Sequence, residues 1–196
     1  LSILSFKGKK LPRILEKFKD EISILILGMG REGQTTLKVL RKYIPGNIGT
    51  ADQKQGKNYL EKLKKYDIII KSPGIPYLRE IKNAKRDGKI ITSATQMFFD
   101  IFNGKVIGIT GTKGKSTTTA LIYEVLKKGG LDVHLSGNIG KPVLELLGLI
   151  NENSVVVYEL SSFQLVDLTK SPQIAVITNI YPEHLDWHKS KKAYFS

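Results

Sequence analysis

Apolar residues in this chain fall into short unbroken runs, separated by stretches in which they recur every three to four positions. Residues 22–27 form the first such run and residues 154–160 the strongest. Continuous runs of this kind suit parallel strands covered on both faces, whereas a half-solvated strand alternates. In the first half, the pattern predicts strands at 22–27, 47–51, 67–71 and 89–92. Helices are predicted between them at 34–43, 57–65 (Lys-rich), 77–87 and 94–102. The second half predicts a strand at 106–110 and a helix at 115–128 closed by Gly129-Gly130. A strand at 131–135, a helix from Pro142 to about 149, and strands at 154–160 and 173–179 follow.

Alternation of strand and helix through both halves implies an α/β fold with parallel sheets and helices on both faces. The two runs meet at Asn103-Gly104, so the expected domains are 1–103 and 104–196.

Composition narrows the classes. With 41% hydrophobic and 25% charged residues the chain is ordinary globular material, and with no Cys it has neither a disulfide framework nor a cysteine metal site. A reducing cytoplasm fits that. No apolar run approaches the ~20 residues that span a bilayer. Lys7, Lys9 and Lys10 follow a short apolar stretch instead of preceding one, the reverse of a secretory signal. The net charge of +13 is uneven: +11 in residues 1–103 and +2 in 104–196. The lysines are scattered along predicted helices and no aromatic-interleaved basic stripe appears, so neither nucleic acid nor a membrane is an expected partner.

The candidate chemistry of the second half lies in Gly111-Thr112-Lys113-Gly114-Lys115-Ser116-Thr117, between a predicted strand and a helix. A phosphate loop needs glycines for close backbone approach and amides converging at a helix N-terminus. It also needs a Lys for the terminal phosphates and a Ser or Thr for Mg²⁺. Gly111, Gly114, Lys115 and Ser116 supply these. The strict GxxxxGK[ST] pattern is not met, because Ile109 stands at its first Gly.

In the first half, Gly28-x-Gly30-x-x-Gly33 follows a strand and opens a helix. Asp52 lies 19 residues beyond Gly33 at a strand end. Alone, this is a dinucleotide-binding fingerprint and invites NAD as the first guess.

Gly108-Ile109-Thr110-Gly111-Thr112-Lys113-Gly114-Lys115-Ser116-Thr117-Thr118 resembles the ATP loop of the Mur ligases, the amide-forming enzymes of peptidoglycan precursor synthesis. Members more often carry Asn where Lys113 stands. Three further stretches resemble those of the D-glutamate-adding branch: 136–142 (Ser-Gly-Asn-Ile-Gly-Lys-Pro), 157–165 (Val-Tyr-Glu-Leu-Ser-Ser-Phe-Gln-Leu) and 178–186 (Thr-Asn-Ile-Tyr-Pro-Glu-His-Leu-Asp). All four occur in the family's order.

The resemblance implies an N-terminal Rossmann-like parallel-sheet domain for the UDP substrate, then an incomplete P-loop-type central ATP domain. The activity implied is ATP-dependent addition of D-glutamate to UDP-N-acetylmuramoyl-L-alanine through an acyl phosphate, in a cytoplasmic monomer with two Mg²⁺ ions. ATP would lie on Gly111, Thr112, Lys113, Gly114, Lys115, Ser116 and Thr117. Lys115, Glu159 and His184 would carry the chemistry, with Ser116, Glu159 and His184 at the metals. Gly30, Arg31, Glu32 and Gly33 would face the diphosphate, and Asp52 with Gln53 the uracil. Ser72, Pro73 and Gly74 form the turn beside the nucleotide, and Asn138 and Ser161 would lie toward the muramoyl-alanine. His134 and His188 have no implied role. The family's carbamylated lysine would fall about two positions past Ser196, so the chain as given is expected to be inactive alone, with an exposed edge on its second sheet. Two alternatives stand: a non-catalytic UDP-sugar or ATP-binding module, and a related ligase such as a folylpolyglutamate synthetase.

Overall fold

The computed structural model describes residues 5–6, 9–10, 23–44 and 46–195. Most of residues 1–10, where a secretory signal was rejected, and Ile22, included in the first predicted strand, lie outside these residues. The chain forms two compact units, Leu1–Ile101 and Phe102–Ser196.

In the first unit a short antiparallel pair, β1 (Ser5–Phe6) and β2 (Lys9–Lys10), precedes the main sheet. That sheet comprises β3 (Ser23–Leu27), β4 (Asn47–Ala51), β5 (Ile68–Lys71) and β6 (Ile90–Thr92), in the order β4-β3-β5-β6 and parallel throughout. The chain leaves β3 for β4 on one side and returns to β5 on the other, which makes the C-terminal end of β3 a switch point. Helix α1 (Arg31–Tyr43) buries Gly33, Thr36 and Leu40, spaced for one helical face. Glu32 sits in its first turn and Arg41 and Lys42 in its last, as the helix dipole favours. Helices α2 (Arg79–Arg86) and α3 (Ala94–Ile101) complete the unit.

One predicted element differs. The Lys-rich segment expected as an α-helix over 57–65 is a 3₁₀ helix, Tyr59–Lys65. Leu60, Leu63 and Tyr66 all join the core beside Leu25, Leu27 and Ile69. A spacing of three keeps such residues in line only at three residues per turn, so burial of this row favours the tighter helix.

The second unit repeats the device. Strands β7 (Lys105–Thr110), β8 (Val133–Gly137), β9 (Val155–Glu159) and β10 (Ile174–Ile177) form a parallel sheet in the order β10-β7-β9-β8. Helix α4 (Lys115–Lys128) turns Thr119, Ile122, Tyr123 and Leu126 inward; the last three pack against Ile109, Val133 and Val157. It ends in a Schellman arrangement, Gly130 N–H to Lys127 O at 3.1 Å and Leu131 N–H to Leu126 O at 3.2 Å. Short helices α5 (Val143–Leu146), α6 (Ser162–Leu165), α7 (Leu185–His188) and α8 (Lys191–Phe195) follow the strands. The helix expected to reach 149 is thus four residues long. No helix among the described residues is long and apolar enough to cross a membrane.

Candidate nucleotide and phosphate sites

Both glycine-rich turns lie at the C-terminal ends of strands, where open α/β sheets bind ligands. In the first unit the turn after β3 is held from two sides. Asp52, just past β4, accepts a hydrogen bond from Met29 N–H at 2.6 Å on one carboxylate oxygen and from Lys54 N–H at 2.9 Å on the other. The Lys54 and Met29 amide bonds hold its carboxyl below the ordinary Asp range, against a smaller desolvation effect. From β5, the Ser72 hydroxyl donates to Gly28 O at 2.8 Å, and Ser72-Pro73-Gly74 forms a turn closed by Ile75 N–H to Ser72 O at 3.1 Å.

Gly33 packs onto this turn so closely that a Cβ there would strike Gly28 O. Gly30 begins α1, and Arg31 and Gln53 are exposed to solvent. The structure therefore brings Gly28–Gly33, Asp52 and Ser72 together at one sheet end. Both Asp52 oxygens accept from the protein's own backbone.

In the second unit the loop after β7 enters α4 through Gly114. Lys115 folds back over it: its ammonium donates to Gly111 O at 2.6 Å and Thr112 O at 3.0 Å. The amides of Gly114, Lys115, Ser116 and Thr117 have no acceptor among the described residues, as the first turn of a helix leaves them. They form a concave set of donors suited to an anion, with the Ser116 and Thr117 side chains exposed beside them.

Glu159 ends β9, paired with Ile109 of β7 on one side and Gly137 of β8 on the other. It is 2% exposed. One carboxylate oxygen accepts from Asn138 Nδ2 at 3.2 Å; the other is buried with no hydrogen-bond partner. A buried oxygen in that state costs free energy unless a cation or donor meets it, so Glu159 fits a hard divalent ion. Among the described residues no three His, Asp or Glu side chains surround one point.

His184 lies apart from that carboxylate in its contacts. It begins α7 with a left-handed backbone (φ 53°), is exposed, and packs its ring 4.8 Å from that of Phe163. Beside it His188, assigned no role from sequence, is buried, stacked on Phe163 and within 3.0 Å of the Ser162 hydroxyl. Burial, and then the neighbouring His184, push its pKa down. Ser161, expected toward the substrate, caps α6: its hydroxyl accepts from Gln164 N–H while Gln164 reaches back to Ser161 N–H. The Ser-x-x-Gln spacing is the signal for this capping box. The sequence reading also missed Asn179, which contacts the phosphate loop directly.

The second unit is thus a parallel-sheet α/β unit with a glycine-rich loop at a helix N-terminus and an acidic strand end. Residues 109–196 match the family model described as Mur ligase middle domain. A curated relative from Acetivibrio thermocellus described as UDP-N-acetylmuramoylalanine–D-glutamate ligase is 46% identical over 142 residues, 72% of this chain and 30% of the relative. One of the same description from Clostridium botulinum is 39% identical over 202 residues, 91% of this chain and 44% of the relative. The chain belongs to the Mur ligase family. It spans under half the length of these curated relatives. The fold is also similar to the crystal structure of UDP-N-acetylmuramate:L-alanyl-gamma-D-glutamyl-meso-diaminopimelate ligase from Neisseria meningitides. That likeness has a TM-score of 0.50 at 17% identity and covers 89% of this chain and 65% of that one.

Proposed function

We propose that the chain is part of an ATP-dependent amide ligase that adds D-glutamate to UDP-N-acetylmuramoyl-L-alanine in peptidoglycan precursor synthesis. Residues 1–103 would form the UDP-substrate domain and 104–196 part of the ATP domain. The observations that support the reading are the free amide cluster of 114–117 after β7 and the unpartnered oxygen of Glu159 at the end of the neighbouring strand β9. The printed names of the relatives support the choice of substrates.

The substrate carboxylate would attack the γ-phosphorus of ATP, with ADP as leaving group, to give an acyl phosphate. The D-glutamate amine would then attack the acyl carbon, losing a proton as phosphate departs and the amide forms. Mg²⁺, when bound, neutralises charge across the β- and γ-phosphates. Lys115 would leave its two loop carbonyls and turn onto those phosphates. Ser116 and Glu159 would hold one ion, Asn138 would orient Glu159 near the muramoyl-alanine end, and His184 would help hold a second ion. Arg31, Glu32, Asp52, Gln53, Ser72, Pro73 and Gly74 would frame the UDP group between Gly30 and Gly33. Catalysis would come mainly from positioning and charge neutralisation. We place the protein in the cytoplasm and, as the family resemblance implies, as a monomer.

Calorimetric titration tests both halves. Mg·ATP should bind, and Lys115→Ala should abolish that binding while the unliganded chain still folds and melts cooperatively. UDP-N-acetylmuramoyl-L-alanine should bind and NAD should not. An unchanged ATP affinity in Lys115→Ala would remove the role given to that lysine. NAD binding without UDP-substrate binding would overturn the N-terminal assignment.

A further inference from the structure

The segment after β10 carries more than His184. Two reciprocal hydrogen-bond pairs join it to the phosphate loop, across more than 60 residues of sequence. The Asn179 side chain brackets the Lys113 peptide: Oδ1 accepts from its N–H at 3.0 Å and Nδ2 donates to its carbonyl at 3.0 Å. The Thr112 hydroxyl brackets Tyr181 in the same way, donating to its carbonyl at 2.9 Å and accepting from its N–H at 2.8 Å. Thr112 N–H donates to Asn179 O at 2.9 Å, and Thr178 Oγ1 donates to Lys113 O at 2.7 Å.

Two consequences follow from this arrangement. The amides of Thr112 and Lys113 are engaged by Asn179, so the donors left for an anion are those of 114–117. The close approach also explains Gly111, where a Cβ would strike Thr178 Oγ1 and lie 2.8 Å from Asn179 O. Such a contact needs glycine at φ 136°.

We infer that Asn179 and Thr112 are positioning residues, which fasten the phosphate loop and the His184-bearing segment into one body before nucleotide arrives. The inference rests on the nucleotide reading given above. A loop preset in this way loses less freedom on binding. Each side chain makes two bonds to backbone groups of the other segment.

The test measures Mg·ATP affinity by calorimetry well below each variant's melting midpoint, together with hydrogen exchange at the Thr112 and Lys113 amides. Asn179→Ala and Thr112→Val should each weaken binding about tenfold and speed exchange at those amides. Thr112→Ser, which keeps the hydroxyl, should restore both. Should Asn179→Ala not fold, Asn179→Asp keeps the shape and the acceptor but loses the donor to Lys113 O, and should weaken binding as well. A purely structural role would lower the midpoint and leave the affinity unchanged, and that result overturns the inference. Wild-type chain that takes up no Mg·ATP overturns the nucleotide reading and this inference with it. Binding lost in Lys115→Ala but kept in Asn179→Ala and Thr112→Val overturns the inference alone.

Discussion

Asn138 donates from Nδ2 to one oxygen of Glu159 at 3.2 Å, leaving the other oxygen buried and unpartnered. The amide orients the carboxylate and leaves its second oxygen open to a cation. Glu159→Gln keeps the shape and removes the charge. Nucleotide affinity measured with Mg²⁺ should fall by about tenfold or more, the scale of a lost interaction with a charged group. Affinity measured in a chelator should not change. Equal losses in the two conditions would show that Glu159 serves the fold and not an ion.

The glycine turns make a second prediction, because each is closed by backbone contact within its own unit. Gly33→Ala places a methyl against Gly28 O, an atom held by the Ser72 hydroxyl in a residue whose own N–H donates to Ala51 O. The turn must shift, at a cost on the order of 1–3 kcal/mol. Binding of UDP-N-acetylmuramoyl-L-alanine should be lost while Mg·ATP binding in the second unit is retained. Loss of both ligands together would mean that the two sites are not separable in this way.

Much of this was legible in the chain because it is coded locally. The unbroken apolar runs mark β3, β5 and β9, and Gly114-Lys115 with Gly129-Gly130 bounds α4 to the residue, whereas the more polar β8 begins two residues later than its pattern predicts. What escaped depends on partners distant in sequence or on a choice between similar local states. Asn179 reads as a strand-ending polar residue until β10 is paired with β7, which brings it beside Lys113. The 59–65 helix carries ordinary helix formers, and only burial of Leu60, Leu63 and Tyr66 selects the tighter winding. The capping box of Ser161 and Gln164 was also passed over, although its Ser-x-x-Gln spacing is local.

Asp67 gives a pH prediction. The Ser23 hydroxyl donates to it at 2.6 Å and lowers its pKa most; the Ser23 amide and Lys89, at 3.6 Å, add to the effect against desolvation. A carboxyl whose folded pKa is depressed contributes stability above its unfolded value of about 3.9, and loses it as pH falls through the folded value. The side chain is 40% exposed, so the gain is modest. Wild type should melt above Asp67→Asn at pH 7, and the gap should close as pH drops below about 4. A gap that stays constant to pH 2 would assign the difference to packing instead of charge.

The last prediction concerns the edge of the second sheet. Strand β10 is the outer strand on its side, pairing only with β7 among the described strands. It exposes Ile174 (53%) and Ile177 (58%). An apolar edge with free backbone groups is a template for pairing with another chain, and a charge placed there opposes it. Ile174→Lys should therefore reduce concentration-dependent light scattering. Because Ile174 lies at the opposite end of β10 from Thr178 and Asn179, Mg·ATP affinity should be unchanged. Scattering equal to wild type would move the association elsewhere, with the exposed Leu121 and Val125 face of α4 as the next surface to alter.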